Sequence, residues 1–303
     1  MKKTTLFLLF LMNAIWGGTY AAVKSIMPHA PYYLVTSTRY LLAAIPVLLY
    51  VGRRYGLRMS RGDYLRCLII GLSTLVFSPL LMYTGVNLGR SADAAILTAT
   101  EPLLVALGAY FYLRERIGGR TVAALFIAFT GALLLSEFWH ENGLVNPAAI
   151  ALIATAVLFE STYSVLSKEL LARHEPIKIL AVVLLSGSLV NATAITLLGW
   201  WPGLAGLNGV DWLVLVVYLV LICTVFGFAF WNFALRRNAT ANVSLTIFVQ
   251  PLFGLLIGWV WLRESPSLGQ LAGTMMILAA LTIAFSGQTA GPDRDLPPAP
   301  PSV

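Results

Sequence analysis

Charge is what this sequence has least of: Asp, Glu, Lys and Arg together make up 11% of 303 residues. Soluble domains carry roughly a quarter, so a globule solvated by water on all sides is excluded. Histidine is scarce as well. The three histidines, His29, His140 and His174, fall in three different connectors, and no His-Glu-x-x-His, Gly-x-Ser-x-Gly or phosphate-binding loop occurs. A hydrolase built on Ser161 or Ser164 with Lys168 would have nothing to form an oxyanion hole. Cysteine is limited to Cys67 and Cys223, which lack metal-ligand spacing and imply no disulfide framework. The expectation is therefore a chain that is not an enzyme, holds no metal and needs no cofactor.

What is present is apolar. Hydrophobic residues reach 58%, gathered into runs at 4–27, 32–51, 65–86, 92–113, 122–138, 148–171, 179–200, 212–235, 239–262 and 268–285. A hydrocarbon core about 30 Å thick takes about 20 residues of helix to cross, so each run is long enough for one span. The first run follows Lys2 and Lys3 as a signal peptide would, but its length and the nine runs behind it make it a retained span. Gly and Pro clusters punctuate the gaps. The tail, 287–303, is too rich in proline to pack and is expected to be a disordered cytoplasmic segment. The lipid bilayer is thus the first expected partner.

The net charge of +7 is explained by its distribution. With the N-terminus inside and the chain alternating sides, the inner connectors and termini hold sixteen of the twenty Lys and Arg residues, among them Arg53, Arg54, Arg114, Arg116, Lys168 and Arg236. The outer connectors hold only Arg90 and Arg263. That asymmetry is the positive-inside pattern of a multi-pass protein of a bacterial inner membrane with both termini cytoplasmic. Nucleic acid is not needed to account for the charge.

The chain also repeats itself. Glu101 to Glu115, EPLLVALGAYFYLRE, aligns without gaps on Gln250 to Glu264, QPLFGLLIGWVWLRE, with six identities at an offset of 149. The same offset pairs Ser91-Ala92-Asp93 with Thr240-Ala241-Asn242. Five spans per half is an odd number, so the second half enters the bilayer upside down. Inverted halves that exchange conformations convert an inward-facing site into an outward-facing one, the architecture of alternating access. Duplication for stability alone is the competing reading.

Trp16-Gly17-Gly18-Thr19-Tyr20 with Lys24 in span one, Arg39-Tyr40-Leu41-Leu42 in span two, and the two Pro-Leu…Leu-Arg-Glu segments at 102–115 and 251–264 together resemble the ten-span, two-copy EamA-type group of the drug/metabolite transporter superfamily. The resemblance covers about residues 4–286, with repeats at 4–138 and 147–286. It implies an all-α, polytopic membrane protein whose ten transmembrane helices form two inverted five-helix repeats around a central cavity, often an exporter. Within the superfamily the chain is similar to bacterial exporters of amino acids, aromatic ones included. The expected function is export of such small organic metabolites by alternating access; the alternative is a passive facilitator or channel. A monomer or weak dimer is expected.

Ionisable groups inside a bilayer are expensive and are functional candidates by default. Lys24 lies near the outer end of span one, where it can snorkel. Arg39 is deeper, as a fixed partner of a carboxylate or helix end, or as a solute contact. Glu101 precedes Pro102, which should kink span four and free the carbonyl of Thr98; Gln250 and Pro251 repeat the arrangement in span nine. Glu101 either binds a solute amine or a proton, or is neutralised and holds helices together, paired with Arg39. Glu160 is within helical reach of Ser164 and Lys168. Asn13, Trp16 and Tyr20 share a face of span one, and Tyr163, Tyr83 and Trp231 extend the aromatic set. Such walls suit zwitterionic or ring-bearing solutes, and the cluster of basic residues that phosphate cargo would require is missing. Gly254 and Gly258 have the spacing of a close helix contact.

Overall fold

The computed structural model describes residues 1–89, 91–137, 146–262 and 266–286, and among them no side chain is described for Tyr20, Ala21, Lys24, residues 91–93 or residues 257–262. Expectations resting on Arg90, Arg263, the side chains of Tyr20, Lys24 and Asp93, or the tail at 287–303 lie outside that description. The described residues form helices and no strand. In chain order these are α1 (Lys3–Gly17), α2 (Thr19–Ile26), α3 (Tyr32–Arg54), α4 (Arg61–Gly71), α5 (Ser78–Leu88), α6 (Ser91–Thr98), α7 (Glu101–Phe111) and α8 (Gly119–Ser136). They continue with α9 (Pro147–Leu171), α10 (Pro176–Leu197), α11 (Gly209–Leu213), α12 (Gly227–Arg237), α13 (Thr240–Ser244), α14 (Val249–Leu262) and α15 (Leu268–Phe285).

Among the described residues, eight helical stretches are long and apolar enough to cross a membrane: Tyr32–Arg54, Arg61–Leu88, Ala94–Phe111, Gly119–Ser136, Pro147–Leu171, Pro176–Leu197, Gly209–Arg237 and Leu268–Phe285. Among the same described residues the first and ninth apolar runs contribute the shorter stretches Lys3–Gly17 and Thr240–Leu256. The first run is interrupted at Gly18, whose N–H bonds back to the Ile15 carbonyl. In the ninth, α13 passes through a 3-10 turn at Leu245–Phe248 into α14, which continues to Leu262.

Two segments leave α-helical register altogether. Leu72–Phe77, between α4 and α5, and Val214–Phe226, between α11 and α12, are π-helical. Neither contains Pro or Gly, so no local punctuation announces them. Their last residues, Phe77 and Phe226, stand 149 apart, and the bounds of α8 and α15 recur at that same offset of 149. The first residues of α6 and α13 do so too, again by 149.

Pro102 sits in the first turn of α7, just after α6 ends at Thr98, within the single stretch Ala94–Phe111. Pro251 likewise stands in the first turn of α14, directly after the 3-10 turn. In each span the regular α-helix is interrupted just ahead of the proline, which has no N–H to offer the preceding turn.

The chain gathers into two compact units. One comprises Met1–Gly18, Leu81–Val165 and the described chain from Arg237 onward. Its core is the α8/α15 pair, where Ala124, Ala128 and Ala132 recur every fourth residue against Ile277, Ala280, Leu281 and Ala284. Small side chains let the backbones close up, the general device for helix contact in lipid. A Cβ added to Gly131 would lie 2.8 Å from the Gly273 carbonyl oxygen, and one on Gly273 would run into the Gly131 oxygen. For Gly254, by contrast, nothing stands within 4 Å of an added Cβ among the described residues, and its expected companion Gly258 lies outside the side-chain description.

The other unit comprises Thr19–Leu80 and Leu166–Arg236. Here α10 packs on α3 and α4, brought close by Gly71 and Gly187: a Cβ on Gly187 would stand 2.8 Å from that of Leu75. Ser60 caps α4 by accepting from the Asp63 N–H at 3.1 Å. The buried Asp63 carboxylate then meets His174 Nε2 at 2.9 Å and Arg173 Nη1 at 3.0 Å. This ties the start of α4 to the connector between α9 and α10.

Candidate functional site

In the first unit the polar centre is an amide network. Asn13 on α1 is wholly buried. Its Nδ2 donates to the Leu9 carbonyl at 2.9 Å and to Thr246 Oγ1 at 3.0 Å. Its Oδ1 accepts from Gln250 Nε2 at 3.0 Å. Both amide protons of Asn13 are thereby used, so this residue, expected to face a cavity, positions Gln250 instead. Gln250 itself is half-buried. The approach is close because Gly17 has no side chain; a Cβ there would sit 2.8 Å from the Gln250 backbone oxygen.

The same unit holds Glu101 and Glu160. Met82, Ile153, Ala156 and Val157 form a buried cluster, with Leu97 and Leu104 packed against it. Leu97 and Leu104 flank Glu101 on the faces of α6 and α7, while Val157 lies one turn before Glu160 on α9. Gly108 brings α7 still closer to α9, since a Cβ there would lie 2.6 Å from Val165 Cγ2. Both carboxyls are half-buried, Glu101 at the start of α7 and Glu160 on α9. No spacing in the sequence links them, because they stand 59 positions apart on different helices. Tyr163, also on α9, is buried at 3% exposure, and Tyr83 on α5 and Trp16 on α1 are half-buried.

The Leu-Arg-Glu ending of the first repeated motif has a structural job. Arg114 takes a left-handed backbone with φ of 56°. Beyond that turn the Glu115 carboxylate accepts from the Thr240 N–H and from Thr240 Oγ1, both at 2.8 Å. It thus satisfies the exposed N-terminus of α13.

In the second unit, Arg39 on α3 is 6% exposed. Its Nε donates to Thr224 Oγ1 at 2.6 Å, and its guanidinium carbon lies 5.4 Å from the Tyr40 ring centre. Thr224 in turn donates to the Leu219 carbonyl at 2.7 Å, five residues back, a reach that suits the π register of that segment. Thr19 Oγ1 lies 3.7 Å from Cys223 Sγ. Among the described residues Arg39 forms no ion pair with a carboxylate. Lys168 Nζ donates to the Leu235 carbonyl at 2.6 Å, and Trp231 on α12 is buried at 3% exposure.

The sequence pattern of the EamA-like transporter family matches residues 3–137 and again residues 147–286. A probable amino-acid metabolite efflux pump of Salmonella typhimurium is 25% identical, over 95% of this chain and 96% of its own length. An S-adenosylmethionine/S-adenosylhomocysteine transporter of Chlamydia muridarum is 27% identical, over 88% and 86%. One solved crystal structure superposes with a TM-score of 0.77 at 20% identity, covering 94% of this chain and 98% of the other; likeness at that level speaks to the fold. With helices long and apolar enough to span a bilayer, and with both copies of the family pattern in place, the chain belongs to the EamA-like transporter family, membrane transporters of the drug/metabolite transporter superfamily.

Proposed function

We propose that the protein exports small organic metabolites, amino acids foremost and aromatic or other neutral ones among them, across a bacterial inner membrane by alternating access. The observation that carries this reading is the near full-length similarity to the Salmonella protein named a probable amino-acid metabolite efflux pump. In this reading ten spans form two inverted five-helix repeats with both termini cytoplasmic, and the recurrence of element bounds at an offset of 149 supports it. Where spans one and nine break, irregular backbone would line a solute path, as discontinuous helices do in other transporters. The Chlamydia relative favours a second cargo within the same class, an amino acid bearing a nucleoside.

Glu101, half-buried inside the fourth span, is the candidate coupling group, since ionisable side chains within a bilayer mark proton or solute pathways.

The test is counterflow in proteoliposomes. Preloaded unlabelled L-phenylalanine should accelerate entry of labelled L-phenylalanine through a carrier, and no acceleration would leave a passive facilitator or channel. In the same vesicles Glu101→Gln, which copies the residue of the second repeat, should abolish the response of transport to an imposed pH gradient. A variant that responds as the wild type does would remove the carboxyl from coupling.

A further inference from the structure

Arg39 is a permanent cation about two turns inside α3, and no protonation change can relieve its burial. A buried charge is ordinarily paired, since an unpaired one costs several kcal/mol. Of its five N–H donors one is used, on Thr224, and the four on the terminal nitrogens have no acceptor among the described residues. The side chain is nevertheless held fast. Thr224 fixes Nε, and Thr224 is itself fixed by its donation to Leu219 across the π-helical turn. The Tyr40 ring lies beside the guanidinium. Anchoring Nε leaves the two terminal nitrogens as a fork, the geometry that matches a carboxylate. Unspent polar groups accompany it in the same unit. The buried hydroxyls of Thr38 on α3, Thr74 in the first π segment and Ser188 on α10 have no hydrogen-bond partner among the described residues, and these three segments pack on one another.

We propose that Arg39 is the anion anchor of the solute site, its guanidinium taking the α-carboxylate of the transported amino acid while Thr224 aims it. This rests on the amino-acid reading above and names the group by which such a solute is held. A carboxylate fits better than a phosphate, because one guanidinium balances one negative charge. Phosphate would call for a basic cluster that the spans do not contain.

The experiment measures ligand protection of the purified full chain against thermal unfolding, using L-phenylalanine, phenylacetate (carboxylate without amine) and phenethylamine (amine without carboxylate). For the wild type, L-phenylalanine and phenylacetate should both protect. In Arg39→Gln their apparent affinities should fall about tenfold or more, while any protection by phenethylamine stays unchanged. Arg39→Lys keeps the charge and loses the fork, so it should fall between the two. Thr224→Val should weaken both carboxylates without removing the cation. Equal protection by chloride or inorganic phosphate would overturn the proposal, pointing to a general anion or lipid-headgroup site. So would wild-type protein that phenylacetate fails to protect. Should Arg39→Gln not fold, unaltered carboxylate affinity in Arg39→Lys and Thr224→Val would overturn it as well. Absence of L-phenylalanine counterflow together with phenylacetate protection lost in Arg39→Lys would sink only the amino-acid cargo, leaving the carboxylate anchor.

Discussion

At the scale of single residues, the polar side chains divide by whether their hydrogen-bonding capacity is spent. Asn13 donates twice and accepts from Gln250, which makes it a strut. Asn13→Ala would leave Gln250 Nε2 and Thr246 Oγ1 without their shared partner. The expected cost runs from about 0.6 kcal/mol, the average for a hydrogen bond between membrane helices, to about 3 kcal/mol for a stranded buried group. A thermal unfolding midpoint indistinguishable from wild type would show that the network contributes nothing. The sequence made Asn13, Gln250, Arg39 and Glu101 visible because polar groups inside apolar runs stand out. It could not assign their partners. Thr224 and Thr246 look like any small residue of a membrane helix until the pairing of helices puts an arginine or an amide beside them.

At the scale of elements, the glycines at 131 and 273 set the α8/α15 interface. Either one changed to alanine forces a methyl group against a carbonyl oxygen of the facing helix, and overpacking of this kind costs about 1–3 kcal/mol. Gly131→Ala and Gly273→Ala should each lower the unfolding midpoint, whereas Gly254→Ala, with open space around it, should not. A midpoint that falls for Gly254→Ala and holds for the other two would refute the assignment. Helix starts rest on caps that the apolar runs alone did not locate: Ser60, Asn208 and Ser267 cap α4, α11 and α15 with their side chains. The π segments were no more legible. Leu72–Phe77 and Val214–Phe226 are mostly apolar, with only Ser73, Thr74 and Thr224 as small polar residues, and a shift from i−4 to i−5 bonding leaves no trace in hydropathy.

At the scale of the molecule, the sequence made the helical class and the repeat legible through the spacing of apolar runs and the offset of 149. The inversion remains a matter of which side each connector faces, and the asymmetry of Lys and Arg speaks to that. Arg116, just past the first motif, and Arg263, near the end of the second, follow corresponding spans of the two repeats, so cysteines introduced there should react with an impermeant thiol reagent from opposite sides of the membrane. The native Cys67 and Cys223 are buried and should contribute little background. Reaction of both introduced cysteines from one side would make the halves parallel and withdraw the basis for alternating access.

The contact of Gly131 with Gly273 has a mechanical corollary. With backbone set against backbone, sliding or rolling of one helix over the other would meet an immediate steric wall on the carbonyl side. Interfaces without slack transmit displacement as a stiff rod does. Helices α8 and α15 must therefore travel together through any working stroke, and the compliance of this protein has to reside in its interrupted helices.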